Sequence, residues 1–173
     1  MREVAAAARV RPVPEIVVLG RGEIELGAYV AHRRTIENFN AGARERYGAS
    51  TEFGGFAYHL IGCLGELATA KYLNMYWTGS ELGKLDNVDV GGCVQVRATS
   101  TNGHRLVLHK EDDDLFPFVL PYVLSDRLPS VALVGWLRAK DGKREQHWCD
   151  PGTGRPAYFV PNELLLPMCD LKL

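Results

Sequence analysis

The stretch Asp89-Val90-Gly91-Gly92-Cys93-Val94-Gln95-Val96-Arg97-Ala98-Thr99-Ser100 constrains the fold more than any other part of the chain. It reads as a strand, a glycine turn and a second strand. Side chains alternate along a strand, so Gln95 and Arg97 project to one face and Val94, Val96 and Ala98 to the other. Polar groups in a half-buried sheet cost free energy unless they are paired, so this pattern calls for a structural or chemical reason. Turn length decides the geometry. With Gly91 and Gly92 as the central pair of a tight hairpin, Asp89 lies opposite Val94 and faces away from Gln95. A three-residue turn or a one-residue bulge brings Asp89 opposite Gln95, and the glycines favour such an irregularity. We expect the irregular turn; otherwise Asp86 is the acid to consider.

The rest of the chain alternates between helical and extended patterns. Residues 1–20, with Arg2, Arg9 and Arg11, form an N-terminal arm whose Ile16-Val17-Val18-Leu19 is an edge strand or a docked extended segment, and residues 21–173 form a single domain. From Gly22 to Tyr47 the positions Ile24, Ala28, Ala31, Ile36 and Phe39 recur at near-helical spacing; Arg33, Arg34, Arg44 and Arg46 on that helix make a solvated face or meet phosphates. A second helix is predicted over Glu52 to Asn74, with Phe56, Leu60, Leu64 and Leu67 on the core arc. Glu66 lies near the edge of that arc beside His59, Cys63 and Ala70, and Gly65 removes bulk so that another backbone can approach.

Beyond a loop at Tyr76 to Asp86, the pair Asn102-Gly103 signals a hairpin that returns along Arg105 to His109. Strands follow at Phe118 to Leu124 and Val131 to Ala139, then an extended Ala157 to Pro161 and a helical turn at Glu163 to Leu166. The class expected is α/β, with helices flanking a mixed, antiparallel-rich sheet.

Several chemistries lack their motifs. There is no GxxxxGK[ST], no GxGxxG, no GxSxG and no HExxH. The cysteines Cys63, Cys93, Cys149 and Cys169 form no CxxC pair, which points to reduced thiols rather than zinc or disulfides. A net charge of -1 gives no general attraction to nucleic acid, although local patches remain open. No apolar run reaches the ~18 residues of a membrane span, and the start of the chain lacks a signal-peptide layout, so an intracellular, cytoplasmic protein is expected. Asp112-Asp113-Asp114 with His104 and His109 offers cation ligands or an acidic surface turn, and His147 with Cys149 has too few partners for a metal site.

What remains is Glu66 on a helix, Asp89 on a strand and Gln95-Val96-Arg97 on the next strand. In this order the chain resembles the PD-(D/E)XK nuclease superfamily. Gly65-Glu66-Leu67-Ala68, Asp89-Val90-Gly91, Gln95-Val96-Arg97-Ala98-Thr99, Gly135-Trp136-Leu137 and Ala157-Tyr158-Phe159-Val160-Pro161 are similar to small phage-encoded or prophage-encoded members, over roughly Gly65 to Leu171. The resemblance implies a restriction-endonuclease-like core with an added N-terminal helix, and a Mg²⁺- or Mn²⁺-dependent nuclease acting on DNA. It implies that Glu66, Asp89, Gln95 and the carbonyl of Val96 hold the metal, that Arg97 contacts the scissile phosphate, and that Thr99, Ser100 and Arg105 touch the nucleic-acid backbone.

Two positions depart from the pattern: Gln95 stands where such nucleases carry Glu, and Arg97 where they carry Lys. One anionic ligand is lost, and arginine cannot serve as a general base. Lys71 and Lys110 are the candidates for the missing amine. The alternative reading is a catalytically degenerate nuclease-fold protein that binds nucleic acid or protein, with Gln95 and Arg97 in a hydrogen-bond network; a phage structural or regulatory protein is a third. Paired nicks call for two sites and hence a homodimer.

Overall fold

A computed structural model of the chain describes residues 11–40, 54–79, 88–101, 103–124, 129–152 and 154–173. The expected α/β class is observed. An edge strand β1 (Glu15–Val18) leads into helix α1 (Arg21–Asn40) and then α2 (Gly54–Leu73). The strands β2 (Gln95–Val96), β3 (Leu106–Leu108), β4 (Pro117–Val123) and β5 (Ser130–Arg138) follow, then a one-turn helix α3 (Ala139–Gly142) and strands β6 (Trp148–Cys149) and β7 (Ala157–Val160). Asp86, Arg44, Arg46 and the end of the first predicted helix lie outside the described residues.

One sheet has the order β1-β5-β4-β2 and the other β3-β7-β6. Among the described strands every pairing is antiparallel except β2 with β4, which is parallel with Gln95 beside Phe118 and Val96 beside Val119 and continues as a parallel bridge from Thr99 to Tyr122. This corrects the hairpin expected at Asn102-Gly103. β3 does not return along β2; it crosses to the second sheet and pairs with β7, Leu106 against Val160 and Leu108 against Tyr158. The physical reason is burial. Leu106 and Leu108 are fully buried with Phe118, Leu120 and Val160 between the two sheets, a site that the edge beside β2 does not offer.

The larger core lies on the other face of the first sheet. Val94, Val96, Val119, Val123, Val131 and Leu133 pack there against Leu64, Leu67 and Ala68 of α2. Of the predicted core arc, Leu64 and Leu67 are buried while Phe56 and Leu60 are half-buried. Residues 63–70 of α2 are buried on all sides, because the helix is held between the sheet and α1. Gly27 and Ala31 make the close seam with α1: a Cβ on Gly27 would lie 3.1 Å from Leu67 and 3.4 Å from Leu64. The Lys71–Glu23 ion pair at one end and the Asn38 to His59 contact at the other show the two helices to be antiparallel.

α2 ends on Asn74 in the left-handed conformation, φ 52°. Asn74 donates to the Lys71 carbonyl and Met75 to the Ala70 carbonyl, the paired bonds of a Schellman cap.

Gly65 is the closest approach between α2 and the sheet. A Cβ there would lie 2.5 Å from the Ala98 Cβ and 3.2 Å from Pro121, so the glycine has the role expected of it. Gly65→Ala is expected to lose about 1–3 kcal/mol in urea unfolding, overpacking outweighing the gain in helix propensity of about 1 kcal/mol. Adding Ala98→Gly should recover much of that loss; no recovery would mean that the strain lies elsewhere.

Candidate functional site

The turn after Asp89 has the irregular length. Val90 and Val94 exchange both backbone hydrogen bonds at 3.1 Å, and Gly91, Gly92 and Cys93 form the turn between them. Gly91 and Gly92 take φ of 58° and 72°, conformations that L side chains resist, and a Cβ on Gly91 would lie 2.7 Å from Met75. Counting outward from the Val90–Val94 pair, Asp89 comes opposite Gln95. Val90 also bridges Trp77, so the outer edge of β2 carries two further short segments: Thr78 N–H donates to the Asp89 carbonyl, and Gly91 N–H to the Tyr76 carbonyl.

Parallel pairing turns the N–H groups of Arg97 and Thr99 toward β4, where they donate to Val119 and Pro121. The N–H and C=O of Val96 therefore face the outer edge. Asp89 occupies that edge, its Oδ2 accepting the Val96 N–H at 2.7 Å.

Glu66 reaches the same edge from α2. It is only 6% exposed and pairs bidentately with Arg34 of α1, which is 7% exposed; both guanidinium-to-carboxylate bonds are 2.9 Å. Trp77 Nε1 donates to Glu66 Oε2 at 2.7 Å. Arg34 thus departs from the expected solvated or phosphate-contacting role. It continues the buried stripe of Gly27 and Ala31 at helical spacing, and that placement of a charge was the signal available in the sequence.

The electrostatics follow from this packing. Burial and the neighbouring Glu66 charge push the Asp89 carboxyl up to about 7, against the opposing pull of the Val96 N–H, Arg97 and Arg34. Burial opposes the charge on Arg34, but its bonds to Glu66 more than offset this and hold the guanidinium above the usual arginine range. Burial also pushes the Cys63 thiol up to about 12, so it is an inert core thiol.

Arg97 lies on the same face of β2 as Gln95, the side of Phe118 and away from the α2 core, with its guanidinium 5.0 Å from that ring's centroid. It donates to Asp112 Oδ1 at 2.8 Å, and Asp112 also accepts the His109 N–H at 2.8 Å. Asp112 therefore holds Arg97, and Asp114 pairs with Lys143 at 2.9 Å. No group of three or more His, Cys, Asp or Glu residues suited to a metal ion occurs among the described residues, so the acidic run is not such a cluster. His147 is buried, with Nδ1 2.9 Å from the Gly142 carbonyl, a structural contact.

The remaining sequence candidates divide. Gln95 shares the face of Asp89 by register, half-buried, and its amide makes no hydrogen bond to the described residues. Thr99 Oγ1 accepts the Thr101 N–H, and Ser100 and Arg105 are exposed. Neither candidate lysine bonds to the cluster: Lys71 pairs with Glu23, and the Lys110 ammonium sits 4.5 Å from the Trp148 ring centroid.

The residues gathered at the edge fit a hard divalent cation. Among the described residues the second oxygen of Asp89 and the amide oxygen of Gln95 accept no hydrogen bond, and a carboxyl raised by burial and by the neighbouring Glu66 charge is one that added positive charge stabilises. Glu66 is committed to Arg34 and Trp77. No helix among the described residues is long and apolar enough to cross a membrane. The chain matches no family model, no curated protein and no solved structure.

Proposed function

We propose that the chain is a Mg²⁺- or Mn²⁺-dependent DNA nuclease built on a restriction-endonuclease-like core, phage- or prophage-encoded and working in the cytoplasm. The observation that carries this reading is the three-residue turn, which sets Asp89 opposite Gln95 with Glu66 behind it on α2. Asp89 and Gln95, with the outward Val96 carbonyl, would hold the cation. When bound, the cation supplies charge that stabilises phosphate oxygens and activates water.

The chain's own residues do the rest. Arg97, anchored by Asp112, offers a fixed positive charge to a phosphate, and its permanent protonation excludes it as the base. Thr99 and Ser100, just beyond β2, and Arg105, just before β3, have side chains that suit contacts to the nucleic-acid backbone. Cutting both strands would require a second copy.

The test is incubation with supercoiled and linear duplex DNA in Mg²⁺ or Mn²⁺. Wild type is expected to cut, and Asp89→Asn to fall by about 1000-fold while still binding DNA. No cleavage with either metal, or equal cleavage by Asp89→Asn, would overturn the reading.

A second reading is favoured by the pairing of Arg34 with Glu66 and of Arg97 with Asp112. Charges already paired make a structural network, as in a catalytically degenerate nuclease-fold module that binds nucleic acid or protein. That reading expects no cleavage, and binding that Asp89→Asn leaves unchanged.

A further inference from the structure

We propose that Arg34 is a built-in counter-cation which competes with a divalent metal ion for Glu66. The inference rests on the metal-site reading of Asp89 and adds a control that the sequence motif does not contain. Arg34 comes from α1, a different helix from the one bearing Glu66, and enters a pocket that is closed to solvent. Its fork takes one Glu66 oxygen with each amino group, and Trp77 takes Oε2 as well. A planar fork with permanent charge satisfies a carboxylate as completely as a side chain can.

Two consequences follow. The protein folds with its acidic edge already neutralised, and Glu66 becomes available to a metal ion only when Arg34 lets go. Wild-type metal binding then depends on Asp89, Gln95 and the Val96 carbonyl, without Glu66. Arg34 is in this sense a positioning residue, because it acts through Glu66 and touches no substrate.

The test measures Mn²⁺ binding by calorimetry without DNA, with folding checked by circular dichroism. Arg34→Gln keeps N–H donors for Glu66 but removes the charge, and is expected to bind Mn²⁺ about tenfold more tightly than wild type, the scale of effect seen for groups that orient metal ligands. Arg34→Lys keeps the charge but frees one Glu66 oxygen, so a smaller gain of about threefold is expected. It is the arm to read if Arg34→Gln does not fold. Asp89→Asn should abolish binding in every background.

Unchanged Mn²⁺ affinity in the folded Arg34 variants, with binding still lost in Asp89→Asn, overturns the competition and leaves the metal site standing. Absence of Mn²⁺ binding in wild type and in all variants overturns both.

Discussion

At about pH 8 the Asp89→Asn protein is expected to be more stable than wild type by roughly 2–4 kcal/mol, and at about pH 3 the two should be equally stable at this position. The folded-state pKa of Asp89 is raised from the model-compound value of 3.8 to about 7. The folded protein therefore holds the Asp89 proton more tightly than the unfolded chain does. That contribution is fully present below pH 3.8, shrinks as pH rises, and is gone above about 7. Asparagine removes the charge and keeps a carbonyl oxygen to accept the Val96 N–H, so only the ionisation penalty is lifted. Thermal melts of both proteins across this range would show the difference opening between the two pKa values. Parallel curves would mean that Asp89 ionises freely in the folded state. A residue whose charge destabilises the fold is retained more readily at a working site than in a scaffold.

Arg34→Ala is expected to lose about 3–5 kcal/mol, the largest loss among single substitutions at this edge, because it leaves Glu66 buried and unpaired beside Asp89. The comparison that isolates the cause is Arg34→Ala combined with Glu66→Gln. The glutamine still accepts from Trp77 but carries no charge, so the double variant should unfold at higher urea than Arg34→Ala alone. If the two losses simply add, the ion pair is not what Arg34 contributes, and the packing of α1 on α2 is.

The elements of this fold were legible where periodicity was strong and sequence distance short. α2, β4, β5 and β7 lie within a residue or two of the segments predicted for them, since each carries a continuous apolar pattern bounded by turns. The turn at Gly91-Gly92-Cys93 was legible because side-chain parity allowed only two outcomes. Pairings over long sequence distances were not. β3 carries the same alternating pattern whether it pairs with β2 or with β7, and only the depth of burial available between the sheets decides.

The candidate site divides in the same way. Glu66, Asp89 and Gln95 were named from local pattern, while Arg34, Trp77 and Asp112 were not given their roles, because each acts through a partner on another segment. Trp77 had no signal of its own within the loop expected at Tyr76 to Asp86. Asp112 was one acid in a run of three, and nothing in that run distinguishes the one that holds Arg97.

The turn that closes on Val90 and Val94 also sets how the chain can change. Adding or deleting one residue between them would carry Asp89 to the opposite face and turn the neighbouring Val90 out of the core with it. Substitutions around the edge weaken or retune the acidic group by degrees, but a single-residue change of length there switches it off at once. The length of the segment from Gly91 to Cys93 is thus held as firmly as the positive-φ backbone that keeps glycine at its first two positions.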